Sequence, residues 1–420
     1  MKAEIRLGLV GYGQNTTGND LGGGRGAGLL RLATTAFEGV RAAGICDIDP
    51  RTLSVAREKF PGVPCFERFD DLLRDIPLDA LLIETPALLH AEFAIKALER
   101  NIHVLSDIPC VQTLDEAWAL WAAQEKSQAF YMTGANANFK GFIEAALDLK
   151  KRGLLGEPYY CEAAYYHGRA PVYRDRPPSA EWRRTLESIR YCTHSLGPVL
   201  RLVDEDLEWT SCFDTGSHMN RRPDEHDAMT AIFRTKSNVV VHLLVSFKHD
   251  SPLGYQHQYR FITTKGGFER TLAYPVFDPA QPGAGGPNRG KTLFYSNELY
   301  GYRQWIELPI DGYTRPEYED KVKLGHSGLD YAMWDAFLKA VRAGGPSPVS
   351  LREGLRMTLP GVFAAESAKR GGELLRIAYP WTAPQPPALT TGRMEPRQRH
   401  ANSPGPARDR HQGLKNSERK

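Results

Sequence analysis

Ile5-Arg-Leu-Gly-Leu-Val-Gly-Tyr-Gly13 is a short apolar run that ends in two closely spaced glycines. A run of this kind reads as a buried strand feeding a tight turn. The stretches beyond it repeat the theme. Residues 29–37 have helical spacing, 40–46 form the next apolar run, and 52–59 are helical again. Residues 78–84, 103–106 and 130–133 read as further strands, separated by helical segments at 90–100 and 114–126. Short apolar runs alternating with helices predict a parallel sheet covered on both faces. That is the doubly wound α/β class.

After a helix at 142–151 the texture changes. Residues 159–166, 228–235, 239–247 and 256–263 are longer, aromatic and β-branched, with turns at Thr235-Lys-Ser-Asn238 and Lys265-Gly-Gly267. They predict a second domain of α+β type with a large, open mixed sheet. The Gly-, Pro- and Tyr-rich stretch 274–320 is expected to be a long loop or extension, and 329–342 and 351–369 two amphipathic helices. The expected organisation is a dinucleotide-binding domain over 1–135, a substrate and oligomerisation domain over 136–382, and a tail over 383–420. The tail carries six prolines and many charges, a composition that predicts disorder.

The chain has 420 residues, 41% hydrophobic and 25% charged, ordinary values for a globular protein. Its net charge is +3, but residues 383–420 hold eight Lys/Arg against three Asp/Glu, so the body is −2. A near-neutral body argues against a nucleic-acid partner. No run approaches the roughly 18 apolar residues of a membrane span. The six cysteines lie at least 19 residues apart, without a CxxC pair, and read as reduced thiols of a cytoplasmic protein. The twelve histidines contain no HExxH, so no metal site is expected.

Gly11 and Gly13 begin a phosphate-binding fingerprint, but Thr16 stands where its third glycine belongs. Gly26, just before the helical Leu-Leu-Arg-Leu, can fill that role if the loop carries an insertion of about a dozen residues. Asp47 supports this reading. It follows the second strand, 34 residues after Gly13, and the fingerprint expects an acid after about 20. An acid there accepts hydrogen bonds from ribose hydroxyls and repels a 2′-phosphate, which favours NAD over NADP. Thr85 with Pro86, and Asp107 with Pro109, follow the next two strands, where the same rule places a dinucleotide.

These residues resemble the Gfo/Idh/MocA oxidoreductase family over about 5–380. The resemblance is carried by Cys46-Asp-Ile-Asp-Pro50, Glu84-Thr-Pro86 with His90, Asn101-Ile-His-Val-Leu-Ser-Asp-Ile-Pro109, Thr193-His-Ser-Leu-Gly-Pro198 and Thr264-Lys-Gly-Gly267. It implies a Rossmann domain, a nicotinamide dinucleotide with His90 and Asn136 beside it, and a sugar or polyol substrate. It also implies homo-oligomers formed through the open sheet. Two departures stand out. Asp107-Ile108-Pro109 replaces the usual Glu-Lys-Pro, and Arg190 and Gly197 replace two aspartates that accompany the family histidine. The pattern is similar to a branch with an apolar residue in place of the lysine, an Asn after the next strand and Thr-His-x-Leu-Gly-Pro. That branch includes NAD-dependent glycosidases resembling α-N-acetylgalactosaminidases.

Hydride transfer at a sugar carbon needs a base to take the hydroxyl proton. His194 is the candidate, because imidazole titrates near neutral pH. Tyr191, three residues earlier, can share its helical face. His167 and Arg169 follow the first strand of the second domain and are candidates to line a sugar site. The charged run Arg221-Arg-Pro-Asp-Glu-His-Asp227 is expected to be a solvated turn. The resulting expectation is an NAD-dependent oxidoreductase acting on a sugar or sugar-like polyol. One alternative is a glycoside hydrolase or lyase that keeps its NAD. It would oxidise a sugar carbon transiently, eliminate a group, add water and return the hydride. The other is a non-catalytic dinucleotide-binding regulator.

Overall fold

The computed structural model describes residues 4–13, 24–167, 184–249, 255–272, 290–299, 304–310, 316–321 and 324–388. Six strands form the first sheet: β1 (Ile5–Val10), β2 (Val40–Cys46), β3 (Cys65–Phe66), β4 (Ala80–Ile83), β5 (His103–Ser106) and β6 (Tyr131–Thr133). Their order is β3-β2-β1-β4-β5-β6, and every pairing is parallel. The connecting helices are α1 (Arg25–Ala36), α2 (Pro50–Lys59), α3 (Phe69–Asp75), α4 (His90–Leu98) and α5 (Leu114–Lys126). Ala-Leu-Leu-Ile in β4 is wholly buried, as a strand covered on both faces must be. The chain reverses direction across the sheet between β1 and β4, the switch point beside which such folds bind ligands.

Local signals set the helix starts. Thr113 and Glu116 close a capping box on α5, and Asp49 caps α2 ahead of Pro50. The helix expected at 29–37 starts four residues earlier, at Arg25, with the extended Gly24 as its N-cap.

A second sheet of nine strands follows helix α6 (Gly141–Lys151). Its strands are β7 (Pro158–His167), β8 (Leu207–Asp214), β9 (Ala228–Thr235), β10 (Val240–Ser246), β11 (Tyr255–Thr263), β12 (Gly266–Arg270), β13 (Thr292–Ser296), β14 (Ile306–Leu308) and β15 (Leu375–Arg376). The order is β14-β13-β12-β11-β7-β10-β9-β8-β15. The pairing of β7 with β10 is parallel and the rest are antiparallel, so the sheet is mixed. Helices α7 (Thr193–Val203), α8 (Leu329–Ala343), α9 (Leu351–Arg356) and α10 (Leu359–Lys369) complete the described chain.

Three expectations are corrected. The stretch 274–320 contributes β13 and the edge strand β14. The helix expected at 351–369 is two helices, because Pro360 has no N–H to continue the first and sits instead in the opening turn of the second. The charged turn 221–227 is not simply solvated. Glu225 is buried and accepts from Arg184 at 2.8 Å and Asn220 at 2.9 Å, with Lys248 at 3.3 Å. At the other end of the chain, the Ala383 carbonyl accepts from the Trp118 indole at 2.9 Å, which fixes the start of the tail on α5. The tail from 389 lies outside the described residues, as does the loop 14–23. All six cysteines are free. No helix among the described residues is long and apolar enough to cross a membrane.

Candidate active site

The cofactor cradle is built almost entirely from backbone. Gly11 and Gly13 adopt φ of +91° and +79°, which side chains rarely tolerate. A Cβ on Gly26 would stand 2.0 Å from the Gly11 carbonyl oxygen, so only glycine lets the first turn of α1 close on the end of β1. Gly24 precedes α1 and supplies no side-chain cap. The positive end of the helix is therefore left for an anion. Gly13 and Gly24, on either side of the loop, lie against each other. Asp47 accepts from Gly13 N at 2.9 Å and Asp49 N at 3.0 Å. A carboxylate has about four acceptor sites, so capacity for a ribose remains. These residues fit a dinucleotide.

His90 ties the crevice together. Its Nδ1 lies 2.9 Å from the Pro109 carbonyl and its Nε2 2.8 Å from the Thr85 carbonyl, joining the Thr85–Pro86 and Pro109 segments. Between them, one guanidinium gathers three carboxyls. Arg25 Nε is 3.5 Å from both Glu84 Oε2 and Asp107 Oδ2. Its two other nitrogens reach the Asp330 carboxylate at 3.2 and 3.3 Å. His326 Nδ1 lies 2.8 Å from Asp330 Oδ2, and Asn136 donates to Asp330 Oδ1 at 3.0 Å. Burial, then the proximity of Asp107, pushes the Glu84 carboxyl well above the usual range. Burial acts on Asp330 too, but the Arg25 charge and the His326 contact override it and hold that carboxyl far down.

A second group of side chains lies on the buried face of the second sheet. Pro198, inside α7, has no N–H for the His194 carbonyl four residues back. The Tyr259 hydroxyl on β11 donates to that carbonyl instead, at 2.7 Å. This bond sets the first turn of α7 against the sheet and fixes His194 there. The His194 ring is edge-on to Tyr191 at 5.6 Å, His257 at 5.8 Å and Tyr165 at 6.0 Å. It is 7% exposed, and its Nδ1 has no hydrogen-bond partner among the described residues. Burial, then the charges of Lys140, His326, Arg25 and His167, drives its pKa well below the ordinary imidazole value. His194 is thus a neutral, desolvated base. Tyr191 stacks on Tyr165 with centroids 6.0 Å apart. His167 ends β7 with its ring 5.6 Å from Tyr165. Arg169 lies outside the described residues.

Several neighbours had no place in the sequence reading. Lys140, immediately before α6, is 3% exposed, with Nζ 5.8 Å from the Phe142 and Tyr259 rings. Burial and Arg270 depress its pKa strongly. His257 stacks on Tyr165 at 4.4 Å, and burial, Lys140, His194 and His167 depress its pKa in turn. Ile108, in the position of the family lysine, is buried in the core. Glu84, a carboxyl closing an all-apolar strand, was the one visible signal among the missed residues.

A glycine cradle at the switch point of the first sheet, together with a buried imidazole packed against a second sheet, defines a two-domain dinucleotide-binding enzyme. The comparisons narrow it. Residues 5–135 match the oxidoreductase family model with an NAD-binding Rossmann fold. A glycosyl hydrolase family 109 protein of Shewanella pealeana is 30% identical over 403 residues, 86% of this chain and 82% of its own. One from Solibacter usitatus is 24% identical over 431 residues, covering 94% and 90%. Scyllo-inositol dehydrogenase from Lactobacillus casei, solved with NAD(H) and scyllo-inositol, has a TM-score of 0.67 at 14% identity, covering 89% of this chain and 99% of its own. The chain belongs to the Gfo/Idh/MocA oxidoreductase family, in the group of the glycosyl hydrolase family 109 proteins.

Proposed function

We propose that this enzyme removes a hydride from a carbon of a sugar or sugar-like polyol, with NAD as acceptor and His194 as the base for the hydroxyl proton. The observation that carries this reading is His194 itself, a buried imidazole held neutral with Nδ1 unpartnered among the described residues. Tyr191, 5.6 Å away, supplies the neighbouring acid or base. His167 sits at the rim of the same cluster, suited to a sugar hydroxyl. Asp47 reads the ribose, and Thr85, Pro86, Asp107, Pro109 and Asn136 line the cofactor crevice. Single-turnover kinetics over a panel of sugars and glycosides, with mass detection of products, test the reading. Failure of every substrate to transfer a hydride would refute it.

A second outcome for the same first step is net hydrolysis with NAD retained. The buried Ile108 in place of the family lysine favours it, as do relatives named glycosyl hydrolases. Under this reading the reduced cofactor returns its hydride after elimination and water addition, and NAD remains on the protein through gel filtration. The buried imidazole argues against a purely regulatory, non-catalytic role. For assembly, the open face of the nine-stranded sheet is the surface this reading gives to a second copy of this chain, and Ile232, 47% exposed there, supports it. The free cysteines suit a reducing cytoplasm.

A further inference from the structure

Glu84 and Asp107 close β4 and β5, adjacent parallel strands whose ends are in register at Ile83 and Ser106. Both carboxyls meet the same nitrogen, Arg25 Nε, at 3.5 Å. The Glu84 side chain is 3% exposed, and a Cβ on Gly11 would stand 2.6 Å from the Glu84 carbonyl. Glu84 therefore lies directly beneath the dinucleotide cradle, at the strand ends where this fold holds its cofactor. The charged groups facing the pair are Arg25 from α1 and Asp330 from α8, with His326 against both. Arg25 makes its bidentate contact with Asp330, so Asp330 takes most of its charge. Glu84 and Asp107 are left to share the third nitrogen, and burial with Asp107 beside it pushes the Glu84 carboxyl well above the usual range, so a proton rests on Glu84.

The oxidised nicotinamide ring carries a positive charge, and the reduced ring carries none. We propose that the Glu84–Asp107 pair makes this site select the oxidised dinucleotide, giving up one proton when that form binds and none when the reduced form binds. The balance is closed: protonated enzyme plus NAD⁺ gives deprotonated enzyme bound to NAD⁺ and a free proton, whereas NADH binds the protonated enzyme. A buried, protonated carboxyl gives up its proton more readily when a new positive charge enters its surroundings. The inference needs the cofactor domain alone and does not depend on the sugar chemistry proposed above.

The test titrates full-length protein, stripped of nucleotide on charcoal, with NAD⁺ and with NADH by calorimetry in two buffers of unlike ionisation enthalpy. The expected result is close to one proton released per NAD⁺ and none per NADH. The Kd for NAD⁺ then tightens about tenfold per pH unit, the slope for one linked proton, while that for NADH stays level. Glu84→Gln abolishes the release and lowers the preference for NAD⁺ about tenfold. Asp107→Asn does the same, and serves where the first variant does not fold. Equal proton release with both forms, or release with neither, overturns the proposal alone. Wild-type protein that binds neither form overturns it together with the assignment of the cofactor domain.

Discussion

The strand ends of the first sheet and the buried face of the second treat charge in opposite ways. At the first, three carboxyls crowd one arginine: Glu84, Asp107 and Asp330 around Arg25. At the second, bases are pressed against aromatic rings: Lys140 over Phe142 and Tyr259, His257 on Tyr165, His194 beside Tyr191. Both places are desolvated, and burial there moves Glu84 on one side and His194, His257 and Lys140 on the other toward the neutral form, while Asp330, paired with Arg25, stays ionised. The acids are pushed up where Arg25 is shared too thinly, as at Glu84, and the bases are pushed down. The raised carboxyl thus lies on the first side and the lowered imidazoles on the second. That polarity suits a reaction in which hydride and proton leave the same substrate carbon and hydroxyl by different routes.

Breaking the basic side has the largest expected effect. His194→Ala should reduce turnover by about 10²–10⁴-fold, the usual worth of a general acid–base. NAD affinity should change little, because Tyr165, Tyr191 and His257, the rings against His194, are not part of the glycine cradle. Near wild-type turnover in single-turnover kinetics would return His194 to a packing role. Next comes Ile108→Lys. Isoleucine there is buried in the core, so the lysine meets either a desolvation cost of several kcal/mol or a depressed pKa. Thermal unfolding should show a loss of stability, and restoring the family residue should not improve rate. A faster, equally stable variant would contradict this.

Asp47 sharpens the acidic side by a smaller amount. Asp47→Ala should weaken NAD by about 1–3 kcal/mol. Part of that loss comes through Gly13, whose N–H donates to the carboxylate. Asp47→Asn keeps an oxygen for Gly13 and removes only the charge, so its main effect should be a narrower gap between NAD and NADP in fluorescence titrations. Wild-type protein that binds NADP as tightly as NAD would show that Asp47 does not face the ribose.

The first sheet was legible because its signal is local. Strands β1, β2 and β5 and helix α5 coincide with the apolar periods that predict them. The order of the second sheet depends on long-range pairing, and its last two strands on one side, β13 and β14, lie in a Gly- and Pro-rich stretch whose composition points to loop. The two-residue strands β3 and β15 are too short to leave a period. At the site, His194, Tyr191 and Asp47 stood out through motif and spacing. Lys140 did not, because a lysine before a helix ordinarily faces water, and only the approach of Tyr259 and Phe142 buries it. Arg25 reads as one more residue of a glycine loop until Asp330, some 300 positions on, closes against it.

The smallest predicted effect tests whether the basic neighbours act on His194 electrically or only by packing. A buried histidine with a depressed pKa stays neutral in the fold, while the unfolded chain takes up a proton below about pH 6.5. The stability contributed by His194 and His257 is therefore complete above that pH and is lost as pH falls toward the folded values. Activity should follow the same sign. The acid limb of kcat/KM should lie below the ordinary imidazole range, because the base remains unprotonated there. Lys140 comes first among the charged groups that hold His194 down, after burial itself. Lys140→Met retains most of the apolar stem over Phe142 and removes the ammonium, so the acid limb should move upward by a fraction of a pH unit. Lys140→Arg should restore it. A limb that stays in place while the melting temperature falls would show that Lys140 serves the core and not the imidazole.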